Sequence, residues 1–208
     1  MNSMFAGCSK LTTLDVSNFD TSMVTNMNSM FNGCTNLQTL DVSNFNTSKV
    51  TSMYRVFSNC ANLTTLDVSN WDVSNVGEMS YMFAYCSNLT TLDLSNWDTS
   101  EVTTMNNTFN SCSSLTTLDL SNWDTSKVID MAYMFSNCIK LATLKWTNWS
   151  TSVGISTTAI SRDVLYDLID NLGTPDTTQT LTLGTRLMSY LTDEQIQSVS
   201  NKNWTLVG

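Results

Sequence analysis

The chain has 208 residues, with 18 acidic side chains against 9 basic ones, a net charge of −9 and no histidine. Such a balance argues against nucleic acid and anionic membrane surfaces as partners, since both need basic patches. No run of about 18 apolar residues occurs, so no membrane-spanning helix is expected, and without histidine there is no Ser–His or Cys–His nucleophilic machinery.

The chain opens inside a repeat. Met1, Met4, Phe5 and Cys8 match Met27, Met30, Phe31 and Cys34, and Cys8, Cys34, Cys60, Cys86, Cys112 and Cys138 follow one another at intervals of 26 residues. A fixed period of this size means a stack of like units, each burying its apolar face on a neighbour. An uncapped first unit would expose core residues, so the chain is expected to be part of a longer protein or to stack on something at this end.

Within one unit, Thr39-Leu40-Asp41-Val42-Ser43 alternates polar and apolar residues, the pattern of a half-buried strand. Val50, Met53, Phe57 and Cys60 then follow at helical spacing. Strand followed by helix in every unit predicts parallel strands on one side and helices on the other. The fold class expected is α/β, a leucine-rich-repeat solenoid of horseshoe form. Residues 1–149 are the regular array.

Asp20-Thr21-Ser22, Asp98-Thr99-Ser100 and Asp124-Thr125-Ser126 precede the predicted helices and read as N-caps and Asx turns. Calcium ligation is the competing reading, weakened by Asn46 and Val73 at two of these positions. The column Asn18, Asn44, Asn70, Asn96, Asn122 and Asn148 suits backbone groups left over where strands end. Next to it run Phe19, Phe45, Trp71, Trp97, Trp123 and Trp149, read either as a spine filling the turn or as a carbohydrate-stacking platform.

The run C-x-x-L-x-x-L-D-[VL]-S resembles leucine-rich repeats, and L-D-[VL]-S-N-[FW]-D-T-S-x-V with M-F-x-x-C is similar to the 26-residue repeat of BspA-type bacterial surface proteins, over about residues 1–150. The resemblance implies a curved solenoid on a bacterial surface, associated with adhesion to host or neighbouring-cell components. It supplies no catalytic residues. No signal or anchor motif is read, so a cell-surface or secreted location rests on the resemblance alone.

The cysteines are expected as buried free thiols. Helices packed roughly 8–10 Å apart would hold their Cα atoms beyond the ~7 Å reach of a disulfide. Zinc is not expected without a C-x-x-C pair or a histidine.

After Trp149 the pattern becomes irregular, and residues 150–208 are expected to continue the sheet and cap its end. Ser161 opens a predicted helix with the stripe Val164, Leu165, Leu168, Ile169 and Leu172, closed by Gly173 and Pro175. Thr180–Leu183 alternates as a strand, Thr192 and Gln195 form a capping box ahead of Ile196 and Val199, and Trp204–Val207 is a last strand. Eight parallel strands are expected in all, six in the array and two in the cap.

The outward positions of the sheet form the candidate site. Thr39, Thr65 and Thr91, then Asp15, Asp41, Asp67, Asp93 and Asp119, then Ser43, Ser69 and Ser95 make a grid of hydroxyls with an acidic stripe that ends at Lys145. A repeating carboxylate column does not suit catalysis, which needs a differentiated pair, so no enzyme, metal or cofactor is expected. A face that is the same in every copy suits a glycan or another repeating partner met by many weak contacts. A solvated face that discourages strand addition is the competing reading. The expected function is an adhesion module that recognises protein or glycan on a host or neighbouring cell. A structural spacer displaying another domain is the alternative, and an ice- or mineral-facing array is a third possibility that the charged column disfavours. The positions that vary between units, Ser29, Arg55, Tyr81, Asn107 and Tyr133, lie on the predicted helical side.

Overall fold

A computed structural model describes all of residues 1–208. From residue 1 to residue 149 the chain runs in coils of 26 residues, each lying on the one before. The stacking is recorded in a ladder of parallel bridges, Asn26–Ser52–Glu78–Thr104–Asp130. It is recorded again in the Phe5, Phe31, Phe57, Phe83, Phe109 and Phe135 rings, with centroids 5.5–5.9 Å apart and planes within 6° of parallel. One apolar core of 57 residues extends from Val16 to Trp204, through the array and into the C-terminal segment.

The helices expected after each strand are absent from the array. Residues 54–59 instead form successive tight turns. Met53, Arg55, Phe57 and Asn59 donate their N–H groups to the carbonyls of Glu78, Ser80, Met82 and Ala84 in the next coil, while Val56, Ser58 and Cys60 bond back three residues within their own coil. The cause is spacing. Coils whose rings repeat every 5.5–5.9 Å leave no room for helices, which need roughly 8–10 Å between axes. The alternation requires two left-handed positions per unit. In the first two coils they are Ser3 with Gly7 and Ser29 with Gly33, and later Arg55 with Asn59 and Tyr81 with Tyr85. A helix cannot pass through residues at φ near +60°.

The strands are also fewer than the pattern suggests. In the array only β1 (Thr117–Leu120) and β2 (Thr143–Trp146) form a regular ladder. They pair in parallel, with Thr117 opposite Thr143 and Asp119 opposite Lys145. Earlier coils keep the alternation of exposed Thr and Asp with buried Leu and Val, but they are joined there by isolated bonds such as Gln38 N to Thr12 O.

The C-terminal segment has ordinary elements: β3 (Val153–Gly154), α1 (Arg162–Asp170), β4 (Gln179–Thr182), α2 (Gly184–Met188), α3 (Asp193–Asn201) and β5 (Trp204–Val207). Ser161 caps α1 by accepting from Val164 N, and Thr192 with Gln195 closes a capping box on α3. The stripe of α1 buries Leu165, Leu168 and Ile169. On α3, Val199 is buried but Ile196 is largely exposed. Asn171, rather than Gly173, caps the C-terminus of α1. Gly173 instead allows a close backbone approach. A Cβ there would stand 2.9 Å from the Trp149 carbonyl, which accepts the Gly173 N–H.

The strands β3, β4 and β5 form their own parallel sheet, separate from β1 and β2. They do not extend the Asp-bearing sheet as expected. Instead β3 and β4 border a cleft with Ala132, Tyr133 and Ser136, on the arm of the coil that carries the tight turns. The helix α1 packs on β2. No helix is long and apolar enough to cross a membrane.

Candidate functional site

The column Asp15, Asp41, Asp67, Asp93 and Asp119 is exposed, while the alternating Leu40, Leu66 and Leu92 point into the core. Thr39, Thr65 and Thr91 run beside the carboxylates, and with Asp41, Asp67 and Asp93 they line an open groove of about 560 Å³. The structure therefore brings together the threonine and aspartate members of the predicted grid. Asp15 and Asp119 lie on the same column, beyond the two ends of the groove.

The serines behave differently. Ser43, Ser69 and Ser95 turn their hydroxyls onto the preceding carboxylate, Oγ to Oδ1 of Asp41, Asp67 and Asp93 at 2.7 Å in each case. Their backbone N–H groups donate to the same oxygen at 3.0–3.1 Å. These serines hold the carboxylate in place, so their hydroxyl protons are already committed. Only Ser69 of the three borders the groove.

Each Asp–Ser pair is an Asx turn closing the strand. Oδ2 is engaged only in Asp119, by Lys145 Nζ at 3.0 Å across one coil. The Ser side-chain bond, and after it the Ser backbone bond, lowers the pKa of Asp15, Asp41, Asp67 and Asp93. Repulsion from the neighbouring Asp opposes this at Asp67 and Asp93, and it is the smaller effect. The column is thus a row of ionised carboxylates, each with Oδ1 tied down.

The second acidic motif is structural by the same geometry. Asp20, Asp72, Asp98 and Asp124 accept through Oδ1 from the N–H two residues on, and Asn46 does the same for Ser48. Asn therefore replaces Asp here without loss, because the turn needs an oxygen and not a charge. The intervening Thr21, Thr47 and Thr99 are buried and donate to Asn46, Asp72 and Asp124 carbonyls of the next coil.

The corner aromatics are not a surface platform. Phe45, Trp71, Trp97, Trp123 and Trp149 are buried, with Phe45 stacked on Trp71 and Trp97 on Trp123 at 6.2 Å. Trp71 and Trp97 also donate Nε1 to the Val42 and Val68 carbonyls. Among the asparagines, Asn44 reaches the Val16, Ser17 and Phe19 carbonyls and Asn122 reaches Ser95.

All six cysteines are free thiols. The packed-helix spacing offered for this does not apply, because there are no packed helices here. Cys34, Cys60, Cys86, Cys112 and Cys138 each donate Sγ–H to the carbonyl of the phenylalanine 29 residues earlier, at 3.1–3.2 Å. Cys8, in the first coil, is only half-buried. Burial pushes the Cys34 thiol up to about 11 and Cys138 to about 12, and it raises Cys60, Cys86 and Cys112 as well.

A chain of stacked 26-residue coils, with an outward aspartate recurring from Asp15 to Asp119, defines a repeat protein. Two overlapping matches, residues 1–91 and 62–163, place this one in a family described as "Mycoplasma protein of unknown function, DUF285", and the chain belongs to that family. No curated protein matches it significantly.

Proposed function

We propose that this chain is a non-catalytic binding module of a bacterial cell surface, a leucine-rich-repeat-type solenoid akin to BspA-type repeats, which holds a repetitive glycan or protein partner along its acidic face. The array of residues 1–149 would carry the ligand and residues 150–208 would cap it. The observation that carries this reading is the groove over Thr39, Thr65 and Thr91 with Asp41, Asp67 and Asp93, where chemically identical groups recur coil after coil. Such a row offers ionised acceptors and hydroxyls at a constant interval, which favours a hydroxylated or cationic repeating ligand and avidity from weak contacts. The surface location comes from the resemblance to BspA-type repeats.

A stalk that displays another domain is the second reading. It is favoured by the turn-closing role of Oδ1, which accounts for the Asp column without any ligand. The two readings separate on an array of glycans and matrix proteins probed with wild type and with Asp41→Asn/Asp67→Asn/Asp93→Asn. Asn closes a turn of the same kind at Asn46, in the second acidic motif, so the variant is expected to fold. Binding that the triple change removes supports the module. A wild-type chain that binds nothing overturns it in favour of the stalk.

A further inference from the structure

The arm of each coil that precedes its cysteine carries a feature that the acidic face does not explain. Two positions per coil sit at left-handed φ, and three copies fill both with small or turn-forming residues: Ser3 and Gly7, Ser29 and Gly33, Asn107 and Ser111. The same positions hold Arg55 (φ 57°), Tyr81 (φ 60°) and Tyr85 (φ 63°) in the middle coils and Tyr133 (φ 59°) in the sixth. Bulky side chains are disfavoured there relative to Gly or Asn. The fold accepts small residues here, and only the middle coils set a cation beside the tyrosines.

Their geometry is specific. The Arg55 guanidinium lies over two rings, 4.9 Å from the centroid of Tyr54 and 4.7 Å from that of Tyr81. Neither ion pair of the chain includes it. Its Nε is buried and bonded to nothing. An open groove of about 520 Å³ borders it, lined by Arg55, Ser58, Asn59, Tyr81 and Tyr85, with Tyr85 46% exposed. In a chain of net charge −9, an uncompensated guanidinium set against two nearly perpendicular tyrosine rings is prepared for an anion.

We propose that this groove is a second binding site, particular to the middle coils, for a carboxylated sugar. A guanidinium presents paired N–H donors that match one carboxylate in plane, and the two tyrosine rings hold it in place on the border of the groove. The exposed Tyr85 ring supplies an apolar wall for the C–H face of a pyranose. Ser58 and Asn59 supply a hydroxyl and an amide for ring hydroxyls. One cation suits one carboxylate, and the net negative charge disfavours a nucleic acid or another dense polyanion. The carboxylate can belong to a terminal sialic acid or to a uronate within a chain, and the two share this chemistry.

The test is a titration of the full 208-residue chain, followed by amide chemical shifts, with sodium N-acetylneuraminate, sodium glucuronate, glucose and acetate in turn. Saturable shifts at Arg55, Asn59, Tyr81 and Tyr85 are expected with one or both acidic sugars, and which of the two binds tighter tells the sources apart. Arg55→Asn and Tyr85→Ser, residues the array itself uses at these positions as Asn107 and Ser111, are expected to keep the melting temperature and weaken binding at least about tenfold. The triple Asp41, Asp67 and Asp93 variant is expected to respond like wild type, which separates this site from the acidic groove. The proposal is overturned if neither acidic sugar saturates, if glucose or acetate shifts the same amides equally, or if Arg55→Asn binds as wild type does.

Discussion

Thr99 is fully buried, and its hydroxyl donates to the Asp124 carbonyl of the next coil at 2.9 Å. The matching position in the third unit is Val73, equally buried, which lacks this bond. Thr99→Val keeps the shape and leaves the Asp124 carbonyl without its partner, so a loss of about 1 kcal/mol is expected in urea unfolding. A neutral result would mean that the column of inter-coil hydroxyl bonds adds nothing. The aspartate and threonine columns were legible from the sequence because their period is strict and the strand alternation is unambiguous. The roles of individual atoms were not. That Ser43, Ser69 and Ser95 spend their hydroxyls on the neighbouring carboxylate depends on a turn geometry which the residue types permit but do not dictate. The cysteine thiols behave likewise: their burial follows from the apolar stripe, but their bond to a carbonyl 29 residues back follows from how coils overlap.

At the scale of the element, the tight-turn arm is where sequence reading fails, and for a physical reason. Apolar residues at Val50, Met53, Phe57 and Cys60 have helical spacing, and a string of three- and four-residue turns produces the same spacing. The distinguishing signal was present at Gly7, Gly33 and Asn59, which fall where φ is positive. The spacing of adjacent coils, set by the parallel strands at about 4.8 Å, also leaves helices no room. The C-terminal segment reads better, since caps at Ser161 and Thr192 are local chemistry. The short α2 and β3 lack any such marker. Two substitutions probe these elements. Leu66→Ala, in the middle of the array, is expected to cost roughly 2–5 kcal/mol through a cavity, whereas the exposed neighbour Thr65→Ala should cost under about 0.5 kcal/mol. Equal effects in thermal unfolding would reverse the assignment of faces. Gly173→Ala puts a Cβ 2.9 Å from the Trp149 carbonyl, a backbone atom that cannot swing aside. It is expected to lower the melting temperature clearly, and an unchanged value would mean that the C-terminal segment is not seated on the array as described.

For the whole molecule, stability belongs to the stack rather than to its elements. Of 99 backbone hydrogen bonds, 79 lie outside helices and strands, and many of these join one coil to the next. The buried thiols give this a pH signature. Folded Cys34 titrates at about 11 and Cys138 at about 12, above the ordinary thiol value near 8.5. Their contribution is complete below the unfolded pKa and is lost as pH rises from there to the folded one, because in that window only the unfolded chain releases the proton. Stability is expected to be level up to about pH 8 and to fall above pH 9, by about 1.4 kcal/mol per pH unit for each thiol involved. Denaturant midpoints of wild type and Cys138→Ala across this range test it, and equal slopes would contradict it.

The proposed binding by repetition along the acidic face is tested most directly by the affinity of one ligand, captured on the array, for wild type, Asp67→Asn and the triple Asp41, Asp67 and Asp93 variant. With contacts shared equally along the column, Asp67→Asn is expected to weaken binding only a few-fold. The triple change should nearly abolish it, and added salt should weaken the wild-type complex if the partner is cationic. A single substitution as damaging as three, or a triple variant that binds like wild type, would contradict the account.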